Sequence, residues 1–420
     1  MPRRPIGNLR DLPRSAAGSH YTAAVEKSLQ PKVRRRLAER EQRDKKLPPL
    51  SRFLPKAPLR WLRTYSEYAL VRRPKFPAPD EKSLVPISND TKIAVAGDWA
   101  TGTDESAHIA DLMGHKKPHY TIHLGDVYYV GDPPSIAENC RNIRQPDGYD
   151  GVLWPSGSLG SFALNGNHEA YARDTAYFEW IQQQLKQPSS CFALVNDHWC
   201  IVALDTGYNS EGIPWLSWLS EQFNWPILKP SCKLPPELVS WLQSSVAPFL
   251  SSNRGIVLLS HHQYYSGFDS EYTQPAKQLA QLPAFRGRSL LWLWGHEHRL
   301  AGYDLYDNGG ITAYGRCLGH GGMPVDRAKS PRSDRPILFY DDRSYDPTTH
   351  KIVSTDTAYG VNGYAVLEFS GATLKISYRD IADNLVMSEQ WSVADGNIRP
   401  TSQPVPGPTV RLMPGGKIVL

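Results

Sequence analysis

Apolar and polar positions change character near residue 90. From Thr91 onward short apolar runs recur, and each stops at a polar cluster. Ile93-Ala94-Val95-Ala96 reads as a buried strand ending at Gly97-Asp98. Asp104 reads as the N-cap of a helix whose apolar face is Ala107, Ile109, Ala110, Leu112 and Met113. Tyr120–Leu124 is a second strand, ending at Gly125-Asp126, and Ser161–Leu164 a third, ending at Gly166-Asn167-His168. Phe192–Val195 and Trp199–Leu204 read as a hairpin about Asn196-Asp197. A helix with Leu238, Trp241, Leu242 and Phe249 precedes the strand Ile256–Leu259, which ends at Ser260-His261-His262. Leu290–Trp294 ends at Gly295-His296-Glu297-His298. Tyr303–Tyr306, Gly363–Phe369, Leu374–Tyr378 and Met387–Val393 suit antiparallel strands, while residues 319–360 read as loop.

Before residue 90 the pattern is different. Gln30–Lys46 is highly charged and suits a solvated helix, and Pro48, Pro49, Pro55, Pro58, Pro74, Pro77 and Pro79 break longer elements. Trp61, Leu62, Tyr65, Tyr68, Ala69 and Val71 suggest one short docking helix, followed by a linker from Arg73 to Ser88. The expected division is a basic N-terminal extension and linker over 1–90, a catalytic domain over 91–395 and a C-terminal tail over 396–420.

Charge sharpens that division. Residues 1–80 hold 20 Lys+Arg against 7 Asp+Glu, and the remainder 27 against 35, within a formal net charge of +5. A basic arm of this kind is most often a solvated extension. It also suits nucleic-acid phosphates or an anionic surface or protein partner. The 40% apolar and 21% charged residues are ordinary for a soluble protein. No apolar run is long enough to span a membrane. The first residues lack the apolar core of a secretory signal, so the cytoplasm is the expected compartment. Cys140, Cys191, Cys200, Cys232 and Cys317 form no CxxC pair, which argues against a zinc ribbon or a disulfide scaffold.

Five apolar strands therefore end in clusters of Asp, Asn or His, and in α/β proteins ligands gather at the carboxyl ends of strands. Carboxylate, amide oxygen and imidazole without thiolate suit zinc, iron or manganese in sites that keep water. Two such ions sharing a carboxylate can hold a phosphate between them and activate water.

The blocks GDW (97–99), GDVYY (125–129), GNHE (166–169), SHH (260–262) and GHEH (295–298) resemble, in order and placement, the calcineurin-like metallophosphoesterase superfamily. The resemblance runs from about Lys92 to Gly302 and implies an α/β fold of two packed mixed β-sheets flanked by helices, an α/β/β/α sandwich. The first block reads Asp-Trp-Ala where the superfamily usually has DxH. The purple acid phosphatase branch shares this omission and carries a Tyr three residues after the second Asp, here Tyr129. Carried over, Asp98, Asp126, Tyr129 and His298 hold a first metal. Asp126 bridges to a second, completed by Asn167, His261 and His296. Two divalent or mixed-valence ions are implied, iron at the tyrosine-containing site and zinc, manganese or iron at the other. His168 faces the leaving-group oxygen, and Glu169 orients His168 or a neighbouring ligand. Tyr128 is the less favoured tyrosine by spacing. His262, Tyr171, Arg173 and His320 are candidate substrate contacts, His320 because the glycines of GHGG (319–322) leave room for a phosphate. The implied activity is hydrolysis of a phosphomonoester or phosphodiester by metal-activated water. A nuclease or nucleotide phosphodiesterase docking through the basic arm is one alternative. A non-catalytic binding protein is another, and it predicts damaged metal positions.

Overall fold

Strands whose alternate residues are all apolar are buried on both faces, and the apolar runs after residue 90 behave this way. We describe them from a computed structural model covering residues 66–68, 71–143, 151–210, 230–250, 253–327 and 330–420. The charged helix expected over Gln30–Lys46 and the docking residues Trp61, Leu62, Tyr65 and Ala69 lie outside these residues. Two compact units, 1–51 and 52–420, divide the chain, and the described residues belong to the second.

Among the described residues ten strands follow in order to residue 318: β1 Leu84–Pro86, β2 Asp90–Ala96, β3 Tyr120–His123, β4 Gly160–Ala163, β5 Phe192–Val195, β6 Trp199–Ala203, β7 Gly255–Ser260, β8 Ser289–Trp294, β9 Leu300–Asn308 and β10 Ile311–Leu318. One sheet runs β1-β5-β6-β7-β8-β10-β9 and continues through Ile337–Asp341, Lys417–Val419 and Arg411–Leu412. In it β6, β7, β8 and β10 are mutually parallel neighbours. The other sheet holds β4, β3 and β2 in parallel, then Gly363–Ser370, Thr373–Asp380, Leu385–Ala394 and Asn397–Pro400 as an antiparallel extension.

Period-two alternation sorts the strand residues into three layers of core. Ile93, Val95 and Ile122 pack between the sheets against Ile201, Val257 and Leu291. The opposite residues of β2, Ala94 and Ala96, face helix α1 (Asp104–His115) through Ile109 and Met113. Cys200, Val202, Ile256 and Leu258 face the other way, onto Leu238, Trp241 and Leu242. The result is the α/β/β/α sandwich. Thr103, rather than Asp104, caps α1, its side chain accepting from the Ser106 N–H. Among the described residues no helix is long and apolar enough to cross a membrane.

Three segment boundaries differ from expectation. The linker is part of the body: Phe76 is buried and Leu84–Pro86 pairs in parallel with Ala193–Val195. The tail adds strands to both sheets, with Ile398 and Ile418 fully buried. The 319–360 segment contributes Ile337–Asp341 to the large sheet and helps build a separate sheet from Val325–Asp326, Ser344–Asp346, Lys351–Val353 and Tyr359–Gly360. The strands of that separate sheet, two or three residues each, are too short to show alternation, which is why composition alone reads them as loop.

Candidate metal centre

The five polar clusters stand at the carboxyl ends of β2, β3 and β4 in one sheet and of β7 and β8 in the other. At three of them a glycine is followed by a non-glycine residue with left-handed backbone: Asp98 (φ 55), Asp126 (φ 74) and His296 (φ 64). Such residues cost about 1–3 kcal/mol each and persist where the surroundings over-determine them. Here they are pinned by Asp98 N–H to the Gly125 carbonyl (3.1 Å) and by His296 N–H to Asp98 Oδ2 (2.7 Å). The glycines are needed for close approach. A Cβ on Gly166 would fall 2.1 Å from Asp126 Oδ1, and one on Gly125 would fall 2.7 Å from His261 Nδ1.

The side chains converge. Asp126 Oδ1 lies 3.2 Å from His261 Nε2, which is 3.1 Å from Asn167 Oδ1. His298 Nε2 is 3.5 Å from Asp98 Oδ1. Ligand atoms of Asp98, Asp126 and His261 all fall within 4.8 Å of one another, and so do those of His261, His262 and His296. Asp98, Asp126, Asn167, His261, His296 and His298 are thus gathered around one place.

Hydrogen bonds fix which atoms face inward. His261 Nδ1 sits 2.9 Å from the Leu124 carbonyl, which can only accept. The proton on Nδ1 is therefore fixed, and in the neutral ring the Nε2 lone pair would face Asp126 and Asn167. Asn167 Nδ2 donates to the Tyr171 hydroxyl (3.0 Å), turning Oδ1 toward the cluster. Three acceptors then face one another, so a cation or a proton has to sit between them. Burial disfavours the charged form of His261, yet Asp126 pushes it up to about 9. Burial likewise opposes ionisation of Asp126, but His261 and His168 hold it well below the usual carboxylate range. Burial, aided by His261, drives His296 down to about 3. A carboxylate, amide and imidazole set with this demand for positive charge fits a borderline metal ion.

The tyrosine differs from the spacing argument. It is Tyr128, 3% exposed, whose hydroxyl enters the cluster, 2.8 Å from Asp98 Oδ1, 2.9 Å from His298 Nε2 and 3.2 Å from Asp126 Oδ2. Tyr129 is half-buried and offers its backbone carbonyl to His168 Nδ1. The Tyr128 N–H returns to the Ala100 carbonyl at 3.0 Å, which sets the direction of the chain after Asp126. Burial, then Asp98 and Asp126, raise the Tyr128 phenol well above its ordinary value.

Around this core, His168 donates its N–H to Asp126 Oδ1 (3.1 Å), and its Nε2 stands 3.7 Å from Asp126 Oδ2. Burial lowers its pKa, opposed by Asp126. Glu169 Oε2 accepts from the backbone N–H groups of Asp126 and Gly166, both at 3.2 Å, tying the second and third loops together. His262 lies beside the Thr206 hydroxyl, which accepts its N–H (3.1 Å) and stands 3.0 Å from its Nδ1. Its ring is 4.6 Å from that of His296.

Two candidate substrate contacts fall elsewhere. Arg173 Nε donates to the Tyr68 carbonyl (3.3 Å), reaching the N-terminal segment. His320 is buried near Gly363, and burial holds it down to about 4. The GHGG glycines leave no room for phosphate, because a Cβ at Gly319 would fall 2.2 Å from the Glu297 carbonyl and one at Gly322 2.4 Å from that of Trp99. The sequence reading missed Tyr272, whose hydroxyl is 3.4 Å from His296 Nε2. It also missed Glu297, which is held by Ser266 Oγ and by Trp294 Nε1 at 3.2 Å. Only the position of Glu297 between two histidines could have singled it out.

A family model described as calcineurin-like phosphoesterase matches residues 91–300. No curated protein matches the chain. Among solved structures it is similar to GAP50, the anchor in the inner membrane complex of Plasmodium, at 14% identity and a TM-score of 0.47, over 73% of this chain and 89% of that one. A dimetal phosphatase from Danio rerio shares 12% identity at a TM-score of 0.43, over 72% and 99%. The purple acid phosphatase PPD1 from yellow lupin seeds shares 12% at 0.40, over 73% and 54%.

Proposed function

The chain belongs to the calcineurin-like phosphoesterase family, and from that premise we propose that it hydrolyses a phosphate ester at a two-metal centre of the purple acid phosphatase type. Asp98, His298 and the Tyr128 phenol, in place of Tyr129, form one half. Asn167, His261 and His296 form the other, and Asp126 is shared. The observation that carries the reading is Asp126 itself. Its Oδ1 meets His261 at 3.2 Å while its Oδ2 meets the Tyr128 hydroxyl at 3.2 Å, so a single carboxylate addresses both halves. A phenolate among hard oxygen donors favours a ferric ion in the first half, with zinc, manganese or iron in the second. When bound, such a pair lowers the pKa of water and offsets charge on the phosphoryl oxygens.

The chain's own groups do the rest. His261 is held in the tautomer that presents Nε2, and Tyr171 holds Asn167 with Oδ1 forward. His168 keeps Nδ1 on the Tyr129 carbonyl, which leaves Nε2 as the atom that hands a proton to the departing oxygen. An arriving phosphate dianion favours the charged imidazole that this transfer needs. His262 and Tyr272, packed on His296, are the groups next to the second half.

Elemental analysis of the purified protein, paired with mono- and diester substrates, tests the assignment. Asp126→Asn is expected to abolish turnover and to lower bound metal at both halves. Unchanged turnover, or loss of metal from one half alone, would rule out the bridging role.

A further inference from the structure

Behind the loop that carries Asn167 and His168 lies a second buried cluster of charge. Asp174 and Asp205 are both fully buried, and the Asn165 amide joins them, 3.1 Å from Asp174 Oδ1 and 3.3 Å from Asp205 Oδ2. Ser190 Oγ and the Tyr208 N–H (2.7 Å) also donate to Asp205. The cation comes from outside residues 91–300: Arg73 pairs with Asp174 through Nε and Nη2. Its segment is strapped down along the same face. The Arg73 guanidinium lies 4.0 Å over the Tyr208 ring, the Tyr208 hydroxyl donates to the Pro74 carbonyl at 3.0 Å, and Ser189 Oγ donates to that of Pro77 at 2.6 Å. The metal-site loop rests directly on this cluster. Asp174 N–H reaches the Glu169 carbonyl at 2.9 Å, and a Cβ on Gly207 would fall 2.6 Å from Asn165 and 2.7 Å from the Gly166 carbonyl.

We infer that Arg73 is a positioning residue: it neutralises the buried Asp174–Asp205 pair and thereby holds the Asn165–Tyr171 segment, with Asn167 and His168 at the start of its short helix, in place against the site. Two carboxylates in one dry cavity repel each other and cannot both stay ionised without a cation. The catalytic part of the inference rests on the phosphoesterase reading; the electrostatic part does not.

Charge and packing can be separated. Arg73→Met keeps an apolar stem over Tyr208 and removes the charge. Arg73→Lys keeps the charge, and Arg73→Met with Asp174→Asn removes both members of the pair. The groups facing Asp174 are Arg73 from the strap, Asp205 and Tyr208 from the loop after β6, Glu169 within the metal-site segment and Tyr177 from the following helix. Burial, with Asp205 adding to it and Arg73 opposing, pushes Asp174 up to about 7. A carboxyl raised in the folded state carries an extra proton there, so its folded form loses ground as pH rises through that value, more steeply without Arg73. The melting deficit of Arg73→Met relative to the parent should therefore widen from about pH 5.5 to about pH 8.5, and that of the double variant should stay level. With nitrophenyl phosphate, Arg73→Met should lose about tenfold in kcat with KM within about twofold, and Arg73→Lys and the double variant should each recover most of it. A deficit equal at both pH values, with the double variant no better than Arg73→Met, would overturn the inference and leave Arg73 as packing over Tyr208. If Arg73→Met does not fold, the double variant decides: folded and active supports charge neutralisation, unfolded refutes it. Should the parent protein cleave no phosphate ester, the melting measurements still answer for Arg73 while the proposed activity fails.

Discussion

Changing Tyr128 to Phe removes one oxygen atom that meets Asp98 Oδ1 at 2.8 Å, His298 Nε2 at 2.9 Å and Asp126 Oδ2 at 3.2 Å. The ring stays, and so does its packing against His168, 4.3 Å away, so the change tests the oxygen alone. As a donor to an ionised carboxylate the hydroxyl contributes about 1.5–3 kcal/mol. As a ligand its loss should be no smaller, or about 10- to 100-fold in affinity for the first metal. The second half, built on Asn167, His261 and His296, does not touch this oxygen and should bind as before. Stepwise metal titration of the stripped protein, followed by calorimetry, should show one site weakened and one unchanged, with turnover returning as metal is raised. Tyr129→Phe leaves the carbonyl that holds His168 and should change neither site by more than about twofold. If iron occupies the first half, visible charge-transfer absorption should survive Tyr129→Phe and vanish in Tyr128→Phe. The opposite pattern would refute the assignment and return the role to Tyr129.

Other consequences can be measured separately. His168→Ala should lower turnover by about 10²–10⁴-fold with metal content retained; equal loss of metal and rate would make it a ligand instead. Arg316→Met should destabilise the fold by about 3–5 kcal/mol in denaturant unfolding, because it strands Glu389, which is buried and held by Arg316 Nη2 (2.5 Å) and Nε (2.8 Å). Burial pushes His123 and His320 down to about 4 from an ordinary 6.5. A histidine depressed in the folded state is neutral there while the unfolded chain takes up a proton. Stability should therefore fall as pH drops from about 6.5 toward about 4, by about 1.4 kcal/mol per pH unit for each ring. His320→Leu should flatten that slope by one ring's share, and an unchanged slope would show that another group titrates.

The legible part of this protein is where one residue type does one job at a strand end. Gly97-Asp98, Gly125-Asp126 and Gly295-His296 stand out because a buried apolar run is cut by a glycine and then a ligand-type side chain, and the fold turns the chain at those points. Tyr128 was not legible. Which of two adjacent tyrosines points inward depends on the backbone direction after a left-handed Asp126, and spacing carries no information about that. His320 misled for a related reason: its glycines signal close backbone packing against Asp98 and Trp99 as readily as open space for a ligand. Arg73 was hidden differently. Its partners are a hundred and more residues away in sequence, and in a proline-rich, basic stretch nothing distinguishes an arginine that docks from one that is solvated.

The division of the site between two sheets gives the interior a second task. Asp98, Asp126, Asn167 and His168 hang from β2, β3 and β4, whereas His261, His296 and His298 hang from β7 and β8. Their separation is therefore set by how the sheets slide over one another, and apolar packing alone resists sliding weakly because it has no direction. Arg316 on β10 reaches across to Glu389 in the other sheet, and Glu389 also accepts from the Tyr378 hydroxyl at 2.7 Å. The guanidinium is 5.1 Å from the Trp391 ring and 5.6 Å from that of Phe339. A bidentate pair buried between layers adds little net stability over an apolar substitute, but it accepts only one register. In a site where Asp126 must meet His261 from the opposite sheet at 3.2 Å, a directional lock between the layers does what further leucines would not.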